Sequence, residues 1–349
     1  MDDRSEQSSG AWLYAGIDEA GYGPVLGPLC VASSVFAVRE PIESGGAAPD
    51  LWKVLKRAVS RAPSRTARGK RLAIADSKAL KLPNPKEGAT TQRDPLMHLE
   101  RGVLAMLHAQ GQPVAAVEDL LVAVGAQRSG LPWYAAVEGG DALPRSTTAA
   151  HIRMHGAHLA GVMESAGVQL CALRCQCVDE VQFNEQLGAA GVKSEVSFGA
   201  VALLLREVWS QTGSVDAEAC PRVVIDRQGG RRCYQEALEE ALPGAQVEAL
   251  CETAARSAYV VTERRGGATR SMRVFFEVEA ERKHLPVALA SMVAKLVREL
   301  MMARFNAHFG ARSIELKPTA GYHSDGMRWL RDAEPILTAQ ERATLRRLA

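Results

Sequence analysis

The sequence has few aromatic residues, no long apolar run and no excess of either charge. Phe, Trp and Tyr make up 5% of its 349 residues, which argues against an extended surface on which nucleic-acid bases stack. The formal net charge of +2 excludes a chain that coats nucleic acid through its overall charge, so a polyanion would have to bind at a local patch. The longest uninterrupted apolar stretch, near residues 200–205, is far too short to span a bilayer. These absences predict a globular protein with no membrane segment.

Cysteine is also sparse, and the spacing of the cysteines is irregular. An odd total of seven, without a regular framework, predicts reduced thiols and a cytoplasmic protein. Residues 1–10 are polar and acidic and contain no apolar segment of the kind found in secretory signals. We therefore expect a disordered lead-in over residues 1–10.

Two groups of residues could in principle bind zinc. They are the thiols Cys171, Cys175 and Cys177 and the imidazoles His151, His155 and His158. The thiols have no second cysteine pair at zinc-site spacing, and the imidazoles, on one helix face, have no acidic partner at comparable spacing. Buried thiols and a polar helix face are therefore the favoured interpretations.

Short apolar strands alternate with helical segments along most of the chain, which predicts an α/β domain. The clearest strands are expected at residues 12–17, 29–38, 170–178, 222–225 and 273–278, and the clearest helices at 151–166, 197–209 and 286–308. We predict one catalytic domain over residues 11–330, an insertion at about 83–150, a basic insertion at about 252–274 and a helical tail over 331–349.

Carboxylates stand at or near the ends of predicted strands. Asp18 and Glu19 end the first strand, Asp226 ends the strand 222–225, and Glu281 precedes the long helix that begins at Pro286. Strand ends are where sites form in open α/β sheets. Carboxylates from separate strands are what a two-metal phosphoryl-transfer site needs, because hard divalent cations take oxygen ligands. A plain salt-bridge network and an exposed acidic turn are the alternatives for the separate groups.

The glycine-rich segment 21–28 follows the first carboxylate pair directly. Its glycine spacing and its two prolines, Pro24 and Pro28, disagree with a dinucleotide-binding fingerprint, because prolines oppose the opening of a helix there. A loop whose backbone N–H groups approach a phosphate or sugar closely is the better interpretation.

At this point the sequence resembles the type 2 ribonucleases H, ribonuclease HII and its relatives. The segment GIDEAGYGPVLGP at 16–28 is similar to the family's first motif, G-x-D-E-A-G-R-G-P-x-x-G-P, and DSKAL at 76–80 is similar to D-S-K-x-L. The strand ending in Asp226, the helix segment 286–298 and the segment AGYHSD at 320–325 resemble three later blocks. The blocks occur in family order over residues 14 to about 330.

The resemblance implies a ribonuclease H-like mixed sheet flanked by helices, with a helical C-terminal part. It implies that Asp18, Glu19, Asp226 and Glu281 are the catalytic, metal-binding carboxylates, with Glu279 as the fallback for the fourth. It also implies a substrate-binding role for Gly21, Tyr22, Gly23, Lys78, Lys295 and Tyr322, with the lysines on the phosphate side or structural. The expected cofactors are two Mg²⁺ or Mn²⁺ ions.

The implied activity is endonucleolytic hydrolysis of RNA in RNA–DNA hybrids, or at ribonucleotides embedded in duplex DNA, leaving 5′-phosphates. No obligate protein partner is expected. The sequence departs from the family at Tyr22, where Arg or Lys is usual, and at Glu281, where Asp is usual. A non-catalytic nucleic-acid-binding module on the same fold, and a two-metal nuclease with another nucleic-acid substrate, therefore remain alternatives.

Overall fold

A seven-stranded mixed sheet forms the centre of the fold in the computed structural model. The structure describes residues 11–39, 48–64, 71–83, 93–137, 139–212, 221–228, 231–265 and 267–348. The predicted lead-in at 1–10 lies outside the described residues. The strands are β1 (Trp12–Ala20), β2 (Leu29–Val38), β3 (Val59–Ser60), β4 (Leu72–Ala73), β5 (Val168–Val178), β6 (Arg222–Asp226), β7 (Gln246–Glu252), β8 (Arg256–Arg265) and β9 (Ala268–Glu277).

The strand order in the large sheet is β5-β2-β1-β6-β9-β8-β7. β1, β2 and β5 are antiparallel neighbours, whereas β6 runs parallel to β1 and β9 runs parallel to β6. β8 and β7 complete the sheet as antiparallel strands, and β3 pairs with β4 separately. The parallel centre brings the carboxyl ends of β1, β6 and β9 to one edge.

Helices cover both faces of the sheet. They are α1 (Leu51–Val54), α2 (Ser77–Leu80), α3 (Met97–Ala109), α4 (Val117–Ala123), α5 (Ala149–Ser165), α6 (Glu180–Ala190), α7 (Lys193–Gln211), α8 (Gln235–Ala241), α9 (Leu285–Gly310), α10 (His323–Ala333) and α11 (Ala339–Thr344). Within the described residues no single helix is long and apolar enough to cross a membrane; α6 and α7 meet that criterion only together, as a pair bent by 110°.

Alternation along β1 divides the core between the two faces. Trp12 and Tyr14 belong to the cluster that packs with α9, whereas Leu13, Ala15 and Ile17 belong to the cluster that packs with α7 and α8. α9 is buried along most of its length, and Pro286 lies in its first turn, where the missing N–H has no helical partner to lose. The expected mixed α/β sheet with flanking helices and a helical C-terminal part is confirmed.

The predicted extra segments have defined places in this fold. α3 and α4, from the segment 83–150, join the α9 side of the core. The Arg304 guanidinium on α9 bonds Glu118 at 2.8 Å and Asp141 at 2.7 Å. The segment 252–274 forms most of the β8–β9 hairpin, so its arginines lie on strands of the main sheet.

Candidate active site

The sheet register brings two of the predicted carboxylates to the same edge. Ile17 of β1 lies beside Ile225 of β6, so Asp18 and Asp226 follow at neighbouring positions. Val224, two residues before Asp226, faces the α9 side of the core, and Tyr14 does the same in β1. The period of two therefore directs both Asp18 and Asp226 toward α9.

Glu281 reaches this edge from the 3-10 turn Ala280–Arg282, which directly follows β9. The backbone N–H of Ala280 donates to Asp226 Oδ1 at 2.9 Å, and the Glu281 and Asp226 side chains are hydrogen-bonded. Burial and repulsion by Asp226 raise the pKa of Glu281 to about 7. Glu279 instead bonds Arg282 at 2.9 Å at the surface, so the structure places Glu281, and not Glu279, beside Asp226.

Asp18 is buried at the end of β1 and hydrogen-bonds the Ser291 side chain of α9. Its Oδ1 accepts from the Glu19 backbone N–H at 2.7 Å. Burial, with the charges of Glu19 and Asp226, nevertheless raises the pKa of Asp18 well above its usual range. Ser291 also bonds Ser77 at 2.9 Å, which connects Asp18 to the start of α2.

Glu19 completes the four-carboxylate cluster, defined as Asp18, Glu19, Asp226 and Glu281. Its side chain is hydrogen-bonded to Gln228. Burial and the charge of Asp226 raise the pKa of Glu19 to about 7, while the Lys78 ammonium opposes that shift. The charge of Asp226 acts on each of the other three carboxylates, and Glu19 also interacts with Asp18 and Glu281.

The two predicted lysines have different surroundings. Lys78 is exposed on α2, and its charge stabilises the ionised forms of Glu19 and Asp226. Lys295 is buried in α9, where its Nζ lies 2.6 Å from Glu299 Oε1. The Lys78 ammonium is therefore open to solvent, whereas the Lys295 ammonium is committed to an internal ion pair.

The segment 21–28 forms a loop that is hydrogen-bonded to the segment preceding α10. The N–H groups of Val25 and Leu26 donate to the Gly321 carbonyl at 2.9 and 3.2 Å. Gly21 has φ +94°, and a Cβ there would lie 2.6 Å from both Arg298 Nε and the Pro28 carbonyl oxygen. Only glycine meets both requirements.

The aromatic side chains of the predicted substrate site lie at two places near this loop. Tyr22 is half-buried, with Lys193 Nζ 5.1 Å from its ring centroid. Tyr322, 48% exposed, is the N-cap residue directly before α10, and the Arg298 guanidinium carbon lies 5.7 Å from its ring centroid. Gly23 is exposed and a Cβ there would meet open space. Gly23 and parts of the Tyr22 and Tyr322 rings are thus exposed to solvent.

The donor set of the four-carboxylate cluster fits hard divalent cations, because every predicted ligand atom is a carboxylate oxygen. Glu281 Oε2 is buried with no hydrogen-bond partner, and four repelling acids in one place favour a counter-cation. Within the described ranges, no three His, Cys, Asp or Glu side chains, those of the four-carboxylate cluster included, are placed so that they could hold a metal ion. The same holds for the three thiols and the three imidazoles considered for zinc.

Divalent cations should therefore stabilise the protein in a pH-dependent way. The raised pKa values mean that the metal-free native state binds more protons than the unfolded state, so its stability falls as pH rises from about 4.5 to about 7. We expect Mg²⁺ or Mn²⁺ to raise Tm by several degrees at pH 8 and by much less at pH 5.5, where protons compete for the carboxylates. Differential scanning fluorimetry checks this. Equal shifts at both pH values, or the same shift in Glu281→Gln, would contradict it.

Some side chains that hold the site carried no functional prediction. Ser291 and Gln228 bond Asp18 and Glu19, and Arg298 donates to the carbonyls of Leu26 and Ala320 at 3.2 and 3.1 Å. Ser291 and Arg298 lie in the helix block that resembles the family, which was a usable signal. Gln228 had none beyond its position two residues after Asp226.

Residues 227–334 match the family model of ribonuclease HII. The predicted resemblance to the type 2 ribonucleases H is confirmed. The ribonuclease HII match includes Glu281, Lys295 and Tyr322 and begins immediately after Asp226. None of the curated proteins matches the chain.

Three solved structures are similar at low identity. They are ribonuclease HII in a PCNA complex from Archaeoglobus fulgidus (17% identity, TM-score 0.41, 96% of this chain and 94% of that chain), ribonuclease H2 from Pyrococcus horikoshii OT3 (14%, 0.40, 92% and 86%) and Bst-RNase HIII in complex with Mn²⁺ (15%, 0.36, 97% and 66%). The resemblance itself rests on the sequence match.

Proposed function

We propose that this protein is a metal-dependent endoribonuclease that hydrolyses the RNA strand of RNA–DNA hybrids, or cuts at ribonucleotides embedded in duplex DNA. The observation that carries the proposal is the four-carboxylate cluster, which β1, β6 and the turn after β9 assemble at one sheet edge. The ribonuclease HII match over residues 227–334 supports the substrate class. The products would carry 5′-phosphate and 3′-hydroxyl groups.

Asp18, Glu19, Asp226 and Glu281 would hold two Mg²⁺ or Mn²⁺ ions. Such ions, when bound, supply activation of a water and stabilisation of the leaving 3′-oxygen. Glu281, whose pKa is raised to about 7, must be deprotonated to become a ligand, which favours activity at neutral and alkaline pH.

The remaining predicted residues would position the nucleic acid. The exposed Lys78 ammonium places a positive charge beside the cluster for a substrate phosphate. The loop at Gly21, Tyr22 and Gly23 offers backbone N–H groups to a ribose hydroxyl. The exposed Tyr322 ring offers an apolar face to a sugar. Catalysis in this arrangement is mainly positioning and electrostatics.

Purified protein should be incubated with Mg²⁺ or Mn²⁺ and three labelled duplexes: all-DNA, RNA–DNA hybrid, and DNA with one ribonucleotide. We expect cutting of the hybrid, of the single-ribonucleotide duplex, or of both, and no cutting of all-DNA. Product ends are checked with a phosphatase and a 5′-phosphate-dependent exonuclease. Binding without cutting would favour the non-catalytic module, and cutting of all-DNA would favour a nuclease of different specificity.

A further inference from the structure

The chain returns to the glycine loop after its last helix. Arg347 follows α11 and is 1% exposed. Its guanidinium lies against the buried side of the loop 21–28, which we call the rear of the loop. Arg347 Nη1 donates to the Gly21 carbonyl at 2.5 Å and Nη2 donates to the Tyr22 carbonyl at 3.2 Å. The Arg347 backbone N–H donates to the Val25 carbonyl at 2.9 Å. Nη1 also donates to the Gly27 carbonyl at 3.4 Å, so this one residue after α11 bonds four carbonyls of the loop.

Other side chains hold Arg347 in this position. The guanidinium carbon lies 3.9 Å from the centroid of the Phe183 ring in α6. The adjacent Asn184 donates to the Arg346 carbonyl at 2.9 Å and accepts from the Leu348 N–H at 2.7 Å, so it bonds the main chain on both sides of Arg347. The charge of Glu180, also in α6, favours the ionised guanidinium, while burial and the Arg298 charge lower the pKa of Arg347 only to about 10. The group stays charged at neutral pH.

The geometry of the peptide bond determines what this contact does to the front of the loop. In a planar trans peptide the carbonyl and the following N–H point in opposite directions. Arg347 draws the Gly21 and Tyr22 carbonyls to the rear, so the N–H groups of Tyr22 and Gly23 are directed forward. Gly23 is exposed there, and a Cβ on it would meet no atom within 4 Å. Two donors are thus directed away from Arg347, and the space around Gly23 is open to solvent.

We propose that Arg347 is a positioning residue that fixes the Tyr22 and Gly23 N–H groups for recognition of a ribose 2′-hydroxyl. The recognition step rests on the proposed function; the ordering of the loop by Arg347 does not. Arg347 touches only main-chain carbonyls and Phe183 among its described contacts, so its effect on substrate passes through the loop. Discrimination of ribose from deoxyribose should therefore depend on Arg347, although Arg347 itself does not contact the substrate.

The test compares Arg347→Met and Arg347→Lys with Arg346→Met, a matched loss of charge at the exposed neighbour. Hydrogen exchange followed by mass spectrometry reports on peptides covering residues 21–28. Equilibrium binding in Ca²⁺, used to suppress turnover, reports the ratio of Kd values for all-DNA duplex and the same duplex with one ribonucleotide. Thermal unfolding confirms that each variant is folded.

We expect the loop to exchange at least about tenfold faster in R347M, and the ribose preference to fall about tenfold, the effect of losing one hydrogen bond of ordinary strength. R347K should recover part of both, because an ammonium can still donate to carbonyls, and R346M should match the wild type.

If R347M does not fold, R347K alone decides: wild-type exchange and wild-type preference in it would overturn the proposal. Unchanged loop exchange in a folded R347M would overturn the positioning role. Faster exchange with an unchanged ribose preference would overturn the recognition role. A wild type that binds both duplexes equally would overturn the recognition role together with the proposed function, while the exchange data would still decide the loop's ordering.

Discussion

Replacing Asp18 with Asn should lower kcat on the preferred duplex by on the order of 10³-fold or more while the protein remains folded. Asp18 belongs to the four-carboxylate cluster, and its charge is repelled by Glu19 and Asp226. An amide of the same shape removes a charged oxygen that a divalent cation requires, and it also relieves that repulsion. We therefore expect the Tm of metal-free D18N at pH 8 to equal or exceed that of the wild type, and we expect the Tm increase caused by Mg²⁺ to shrink.

Steady-state cleavage assays and thermal unfolding measure both parts of this prediction. Asp332→Asn is the matched control, because Asp332 is an exposed residue of α10 whose ion pair with Arg328, at 3.0 Å, is at the surface. D332N should keep wild-type activity. If D18N kept its activity, Asp18 would have no place in the catalytic site.

Replacing Gly16 with Ala should be the most destabilising single methyl addition in this part of the fold. A Cβ at residue 16 would lie 2.1 Å from the backbone nitrogen of Val287 and 2.2 Å from the carbonyl carbon of Pro286. These atoms belong to the first turn of α9, so relief requires the helix to move away from β1. We expect the free energy of unfolding to fall by about 3 kcal/mol or more, at the upper end of overpacking effects.

This change should also reduce activity, because the displaced helix carries Ser291 away from Asp18. Chemical denaturation gives the stability loss. Gly161→Ala is the control: Gly161 is an exposed residue of α5 with open space at its Cβ position, so alanine should stabilise the protein by about 0.5–1 kcal/mol through its helix propensity. A G16A protein as stable as the wild type would mean that β1 and α9 are not packed this closely.

The sequence was sufficient to predict the strands that carry three of the four acidic residues. Asp18 and Glu19 lie among the last three residues of β1, which continues to Ala20, and Asp226 ends β6; short apolar runs make such buried strands recognisable. The position of β2 at Leu29–Val38 was predicted to the residue for the same reason. The resemblance to ribonuclease HII then favoured a nuclease site over a set of salt bridges as the prediction for these residues.

The choice between Glu279 and Glu281 required the turn after β9. Glu279 has φ 54°, a left-handed conformation, and its side chain bonds Arg282, whereas Glu281 turns inward to Asp226. Two glutamates separated by one residue look alike in a sequence, because the turn geometry comes from packing against the sheet edge. Lys78 and Lys295 were equally alike until Glu299 was seen to bond Lys295.

The sequence by itself determined most strands of the main sheet, the longest helices and the acidic residues near the strand ends, because these depend on local periodicity and on chemistry that neighbouring residues reveal. Only the tertiary structure decided what holds the glycine loop. Arg347 lies more than 300 residues from Gly21 along the chain, yet donates to its carbonyl, and a buried guanidinium at that distance leaves no periodic signal. Long-range hydrogen bonds of this kind form only once the sheet, α6 and the C-terminal segment have packed together.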